Sequence, residues 1–145
     1  MTETKPNRED RTMAALAHGS VALFGMGVIA AVAIWISQKE KSPYVAFQAL
    51  QATVYQALGV LVSMVSWCCW TGLYFLSFIP FMTAADPSGD PPAIFFLSMA
   101  LMVVPLALMG LWILGGLWGA VRTLQGRDFR YLVIGPALER WLESD

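Results

Sequence analysis

AIFFLSMALMVVPLALMGLWILGGLWGAVRT, residues 93–123, decides the fold, because its 31 residues contain a single charge, Arg122, next to its end. A helix needs about 20 apolar residues to cross the hydrocarbon core of a bilayer. A backbone surrounded by lipid must also satisfy its own hydrogen bonds. The segment is therefore predicted to be a transmembrane helix.

Two further long apolar stretches precede this segment, at residues 12–37 and 44–82, and neither contains a basic residue. The chain of 145 residues is 57% hydrophobic and 13% charged, which leaves little sequence for a soluble domain. The composition predicts an all-α, polytopic membrane helical bundle with three long transmembrane segments and a short C-terminal interfacial helix. The predicted parts are a polar N-terminal tail (1–11), a transmembrane domain (12–125) and a cytoplasmic tail with an amphipathic helix (126–145).

The distribution of basic residues predicts the orientation in the membrane. The connection 38–43 carries Lys39 and Lys41, whereas the connection 83–92 carries only Asp86 and Asp90. By the positive-inside rule, the first connection and the C-terminal tail are cytoplasmic, which predicts a multi-pass protein of the bacterial cytoplasmic (inner) membrane. The basic residues of that tail are Arg122, Arg127, Arg130 and Arg140.

The first apolar segment leaves two topologies open. A single tilted helix of about 39 Å would cross the membrane and leave Lys5, Arg8 and Arg11 on the outer side. A turn at Gly25-Met26-Gly27 would instead keep all nine basic residues inside. We favour the single crossing, and the turn remains the alternative.

The second segment carries a stripe of polar and small residues. Its 39 residues would form a helix of about 58 Å, about twice the hydrocarbon thickness. Since lipid tails cannot hydrogen-bond amides, the stripe is expected to face protein or water. Helix packing is the preferred interpretation, and a water-lined or ligand-lined groove is the alternative. The members of the stripe, spaced by three or four, are Tyr44, Gln48, Gln51, Tyr55, Gly59, Ser63 and Ser66.

Small residues and a proline predict how the helices pack. The pairs Gly115 with Gly119 and Gly27 with Ala31 are spaced by four, which favours close approach between membrane helices. Pro105 lies within the third segment, where it removes a backbone donor and predicts a kink.

The C-terminal tail has signals of its own. Gly126 is placed to end the third helix, and Gly135-Pro136 to begin a short one. In this last helix Leu138, Trp141 and Leu142 oppose charged residues, which predicts an interfacial helix anchored by Trp141.

Three stretches resemble a known group of proteins: RTMAALAHGSVALF (11–24), IWISQKEKSPYVAFQALQATVYQ (34–56) and GAVRTLQGRDFRYLVIGPALERWL (119–142). They are similar to small bacterial membrane proteins of unknown function that are grouped with the Tic-twenty import component of the chloroplast inner envelope. Magnetosome membrane proteins belong to the same broad group. Where relatives often carry a histidine, this chain has Gln48, so no role of that histidine is transferred. The resemblance implies a small helical bundle with a role in membrane assemblies or protein translocation.

The search for chemistry argues against an enzyme. No predicted span contains a carboxylate, and no nucleophile has a convincing partner, so neither a proton-driven carrier nor a hydrolase is expected. Cys68 and Cys69 lack metal-site spacing and are predicted to be buried, while Asp86 and Asp90 are too few to bind calcium. A net charge of −1 argues against nucleic acid as a partner. No metal or cofactor is predicted.

His18 is the one residue that could bind an unusual ligand. The neighbouring Gly19 would let a planar group such as haem or another pigment approach. A hydrogen-bonding or interfacial histidine is the preferred interpretation, and ligation is a distant alternative.

Two functional classes therefore remain. The first is an accessory or scaffold subunit that packs against larger integral membrane proteins in the lipid bilayer. The alternative is an oligomeric channel or protein-translocation component, in which copies of the chain assemble around a polar path along the second helix.

Overall fold

The computed structural model describes residues 6–83 and 91–143, and all regular secondary structure in these two ranges is helical. The all-α prediction is therefore confirmed for this part of the chain. Three residues that carry sequence predictions, Lys5, Asp86 and Asp90, lie outside the described residues, as does most of the predicted outer connection. The helices are α1 (Arg8–Gly19), α2 (Gly25–Gln38), α3 (Pro43–Thr83), α4 (Ala93–Ala100), α5 (Val103–Leu124) and α6 (Ile134–Glu143), with a 3-10 turn (Ser20–Leu23) between α1 and α2.

Two helical stretches are long and apolar enough to cross a membrane, Pro43–Pro80 and Ala93–Leu124. The third predicted crossing, over residues 12–37, is not among them. The chain divides into two compact units, one formed by Met1–Val60 with Trp112–Asp145 and the other by Leu61–Leu111.

The first unit begins with a helical hairpin. Ala17 of α1 and Ala31 of α2 lie in one buried cluster with Ala49 and Ala52 of α3. In a single straight helix Ala17 and Ala31 would be about 21 Å apart. The chain reverses at Phe24, whose φ of 52° is rare for a residue with a side chain. The structure thus has the turn alternative in place of the single helix that we favoured for residues 12–37.

Gly27 allows the two helices of the hairpin to approach closely. A Cβ at this position would overlap the carbonyl oxygen of Ser20 and the amide oxygen of Gln56. The Ser20 hydroxyl lies 3.0 Å from the carbonyl oxygen of Gly27 and 2.8 Å from that of Ala17. At this point the two helices therefore meet through small residues and the hydrogen bonds of Ser20. This contact allows an apolar segment to fold back on itself without a large apolar interface.

The second unit contains the C-terminal part of α3, α4 and the first part of α5. The indole of Trp70 donates to the carbonyl of Ser98, and the hydroxyls of Ser77 and Ser98 are 3.2 Å apart. Aromatic rings, including Tyr74 and Phe95, pack around these contacts. Cys68 and Cys69 are exposed on α3, so the prediction that they are buried was wrong. Apolar composition does not indicate burial in a helix whose outer face suits lipid.

The third predicted segment is interrupted rather than gently kinked. The α-helix stops at Ala100 and resumes at Val103, so that Pro105 lies in the first turn of α5. Proline has no N–H for the carbonyl of Leu101, and its ring would collide with that carbonyl in a regular helix. The N–H of Val104 bonds to the Leu101 carbonyl instead, at 3.0 Å.

Helix α5 ends just before Gly126, as the sequence predicts. Gly126 has a φ of 73°, its N–H bonds to the carbonyl of Thr123, and the N–H of Arg127 bonds to that of Arg122. This pair of bonds is the Schellman motif. It directs residues 127–133 back across the first unit, toward α1 and α3.

We predict that Gly27→Ala destabilises the protein, because the added methyl group collides with the backbone of Ser20. Overpacking of this kind costs about 1–3 kcal/mol. Gly25→Ala is the matched control, since a Cβ there meets no atom within 4 Å. Thermal unfolding in detergent should give a lower Tm for the first variant and an unchanged or higher Tm for the control. Equal Tm values would contradict the close packing of the hairpin.

Candidate functional site

The side chains best placed for function form one polar cluster in the first unit, made of His18, Gln48, Gln51, Asp128 and Tyr131. His18 comes from α1, the two glutamines from the first turns of α3, and the other two from the segment between α5 and α6. His18, Gln48 and Gln51 are at most 1% exposed. Buried amides and imidazoles are tolerated only when they are hydrogen-bonded, so the cluster depends on its internal contacts.

The two glutamines bind the segment that follows α5. The amide nitrogen of Gln48 donates to a carboxylate oxygen of Asp128 at 3.1 Å and to the carbonyl of Phe129 at 3.0 Å. The amide nitrogen of Gln51 donates to the same carbonyl at 3.1 Å, and its oxygen accepts from the N–H of Tyr131 at 3.1 Å. The backbone of residues 129–131 is not helical. The glutamines supply the hydrogen-bond partners that secondary structure would otherwise give it.

The hydrogen bonds of Gln48 assign the tautomer of His18. Because the amide nitrogen of Gln48 donates to Asp128 and Phe129, its oxygen faces His18 Nε2, 3.0 Å away, as an acceptor. His18 Nε2 therefore carries the proton. Nδ1 is left to accept from the Tyr131 hydroxyl at 3.2 Å. Both ring nitrogens are occupied, so binding a haem or pigment would require breaking one of these bonds.

Burial keeps His18 and Tyr131 neutral. It lowers the pKa of His18 from 6.5 to about 4, although the hydrogen bond that His18 donates to Gln48 acts in the opposite direction. Burial also raises the pKa of the Tyr131 phenol, and Tyr55 raises it further. Neither group changes its protonation state near pH 7. Within residues 6–83 and 91–143, no three His, Cys, Asp or Glu side chains are grouped so that they could hold a metal ion.

An aromatic stack adjoins the cluster. The ring of Tyr131 lies 4.0 Å from that of Tyr55 with nearly parallel planes, and Tyr55 lies 4.8 Å from Trp112. The Tyr55 hydroxyl donates to the Trp112 carbonyl at 2.7 Å, and the Trp112 indole donates to the Tyr55 carbonyl at 3.0 Å. Gly59 leaves room for the indole and Gly115 for the phenol. The polar stripe and the small residues of α5 thus meet in one interface.

The remaining members of the predicted stripe and packing set are distributed as follows. Tyr44 is partly buried at the start of α3. Gly119 lies against His18 and the ring of Phe129. Ser63, which is buried, and Ser66, which is partly exposed, belong to the second unit. The members of the stripe between Gln48 and Gly59 contact protein.

The four basic residues of the predicted tail have different environments. Arg130 pairs through two nitrogens with Asp128, at 2.8 and 3.0 Å, and also pairs with Glu139 of α6. The guanidinium of Arg122 lies over the ring of Trp118, 5.3 Å from its centroid. The other two are Arg127, which is exposed, and Arg140, which donates to the carbonyl of Pro136.

Sequence reasoning missed Gln56, Asp128 and Tyr131. The amide nitrogen of Gln56 donates to the carbonyl of Ala17 at 2.9 Å and to the hydroxyl of Ser20 at 3.1 Å, so it fastens the hairpin to α3. Gln56 lies off the stripe by helical spacing, and its only signal was that it is a further amide in an apolar window. Asp128 and Tyr131 lie in a stretch that carries the family resemblance, but nothing in their spacing indicates a contact with α3.

Comparison with known proteins gives one match. Residues 9–138 match the family model of the magnetosome magnetite crystal formation protein family. No curated protein and no solved structure matches the chain. The magnetosome part of the predicted resemblance is thus supported, whereas the relation to the Tic-twenty component stays a prediction.

We predict that folding stability falls as the pH decreases from about 6.5 toward 4. The pKa of His18 is about 4 in the folded state and ordinary in the unfolded chain, so the unfolded chain binds more protons in this window. The loss is at most about 1.4 kcal/mol per pH unit. Because His18 is the only histidine, its imidazole NMR signals report the folded-state pKa directly. The side chain in His18→Gln cannot titrate, so this variant should lack the part of the stability loss that comes from His18. A native pKa near 6.5 would contradict the buried neutral cluster.

We predict that Gln48→Leu and Gln51→Leu loosen the segment after α5. Each variant leaves buried polar groups without a partner, at a cost of about 1–3 kcal/mol. Trypsin cleavage after Arg127 and Arg130, and hydrogen exchange at the Tyr131 amide, should both become faster. Gln125→Leu makes the same change at an exposed glutamine and is the control. Equal rates in all three variants would show that the amides do not hold this segment.

Proposed function

The chain belongs to the magnetosome magnetite crystal formation protein family, and from this membership we propose that it is a non-enzymatic membrane scaffold in the formation of magnetite crystals. By scaffold we mean a subunit that holds other integral membrane proteins in place within the bilayer. It transports nothing and catalyses no reaction itself.

The observation that carries this proposal is the contrast between the enclosed polar cluster and the apolar outer faces of α3 and α5. Both ring nitrogens of His18, and the amide nitrogen and oxygen of Gln48 and Gln51, have hydrogen-bond partners inside the protein. The outer faces, by contrast, offer large apolar side chains for contact with lipid and with neighbouring helices. The most exposed of these are Phe75, Leu76, Met82, Val103, Leu111 and Leu114.

The same contrast argues against the channel alternative. A polar path along α3 would need Gln48 and Gln51 to face water, and both are fully buried against the segment after α5. Copies of the chain could assemble only through their apolar faces, which would not form a hydrated path.

We also propose that both ends of the chain lie on the cytoplasmic side. The guanidinium of Arg11 lies next to Gly126, so the start of α1 and the end of α5 are neighbours. With the hairpin turning back at Phe24, the described basic residues lie on α1 before the apolar hairpin, in the connection after α2, and from the end of α5 onward. This arrangement agrees with the positive-inside rule.

The test uses a magnetite-forming bacterium from which its own member of this family has been deleted. Expression of this chain should restore crystal size as measured by electron microscopy, and the tagged protein should co-purify with other integral membrane proteins at fixed stoichiometry. Leu111→Trp and Leu114→Trp change the outer face of α5 while remaining compatible with lipid, and should reduce both results. Leu111→Ile and Leu114→Ile are the controls.

Two outcomes would contradict the scaffold. One is restored crystals from a particle that contains only this chain and lipid. The other is iron flux into proteoliposomes reconstituted with this chain alone, which would favour the channel.

A further inference from the structure

The turn between α1 and α2 presents an apolar tip. Leu23, Met26 and Ile29 are each more than 60% exposed, and Phe24 is 40% exposed. No charged residue occurs between positions 12 and 38. The charges adjoining the hairpin lie at its open end, before residue 12 and after residue 38. This separation of charge from apolar surface along the hairpin matches the change from headgroups to acyl chains across one leaflet.

An aromatic and basic pair marks the depth of the hairpin. Trp118 is 58% exposed on α5 with Arg122 over its ring, and such pairs are typical of the boundary between membrane and water. Val21 of the hairpin packs at Gly116, which is about 3 Å further along α5 toward the middle of the membrane. The apolar turn lies beyond Val21. The tip is therefore placed within the acyl region.

The hairpin is too short to cross the bilayer. Helix α2 has 14 residues and is about 21 Å long, against a hydrocarbon core of about 30 Å. The turn at Phe24 lies three residues past Val21, about 6 Å along a 3-10 turn, so the tip is about 9 Å deeper than Trp118 and stays within the roughly 15 Å of one leaflet. The two packed helices thus add their cross-section to one leaflet.

We propose that the α1–α2 hairpin is a wedge in one leaflet, whose ligand is the acyl layer of a membrane that is convex on that side. Insertion into one leaflet expands it relative to the other, and the cost of insertion is lower where curvature has already opened the lipid packing. The wedge would give the protein a preference for highly curved membrane. Lipid is the occupant favoured here, because the tip lies deeper than the Trp118–Arg122 pair and no charged residue occurs between positions 12 and 38. This inference concerns lipid and does not rest on the scaffold role.

The depth of the tip is tested first, with the full chain in lipid vesicles. Cys68→Ser and Cys69→Ser remove the native thiols, and Met26→Cys carries an environment-sensitive fluorophore. Lipids spin-labelled along the acyl chain should quench it, whereas aqueous iodide should not. Quenching by iodide, or shielding from both quenchers by a protein contact, would overturn the wedge.

The curvature preference is tested on tethered vesicles of mixed diameter. The wild-type protein should be denser on small vesicles than on large ones. Leu23→Asn with Met26→Asn should lose this preference while the protein remains inserted through α3 and α5. Leu132→Asn with Val133→Asn changes two apolar residues outside the hairpin that are even more exposed, and should keep this preference. Equal wild-type density on all diameters, or equal loss in both double variants, would overturn the proposal.

Discussion

Two buried amides, Gln48 and Gln51, are the constraint on which the first unit depends. Three residues apart on α3, they face the same side and bind the backbone of residues 129–131, while Gln48 also holds His18. Leaving a buried amide without a hydrogen-bond partner destabilises a protein by more than a typical hydrogen bond stabilises it. The site is therefore stable only when α1, α3 and the segment after α5 are all in place.

This requirement links features that are distant in the sequence. The Schellman motif at Gly126 turns the chain toward the amides, and the stack of Tyr131 on Tyr55 fixes the segment beside α5. About two turns further along α3 than Gln48, Gln56 fastens the hairpin at the level where Gly27 allows close contact. These contacts use small, amide and tyrosine side chains, which select one arrangement of the helices where apolar packing alone would not.

Much of this architecture was predictable from the sequence. Long apolar segments predict membrane helices, the spacing of Gln48 and Gln51 predicts one protein-facing stripe, and Gly126 predicts the end of α5. Local signals suffice for these features because each depends on residues within a few turns of one another. The prediction for residues 12–37 was wrong, because hydropathy measures apolar length and does not detect a reversal. The two glycines near the turn kept the alternative open without deciding it.

The partners of the site could not be predicted, for a different physical reason. Asp128 and Tyr131 contact α3 across about 80 residues of sequence, and no period or spacing relates them to Gln48. His18 likewise has no local sign that its partners are a glutamine and a tyrosine. The family match adds membership of the magnetosome magnetite crystal formation protein family, which no side chain in the described structure indicates by its chemistry.

The central claim is that one hydrogen-bonded cluster holds α1, the start of α3 and the segment after α5 together, so that Asn7, Lys39 and Arg127 are expected on one side of the membrane. Single cysteines at Asn7→Cys, Lys39→Cys and Arg127→Cys, in the Cys68→Ser and Cys69→Ser background, test it with a membrane-impermeant maleimide. The account predicts that all three are labelled in inside-out vesicles and none in intact spheroplasts. Labelling of Asn7→Cys from the side opposite to Lys39→Cys would mean that residues 12–37 cross the bilayer, and would contradict the hairpin on which the account rests.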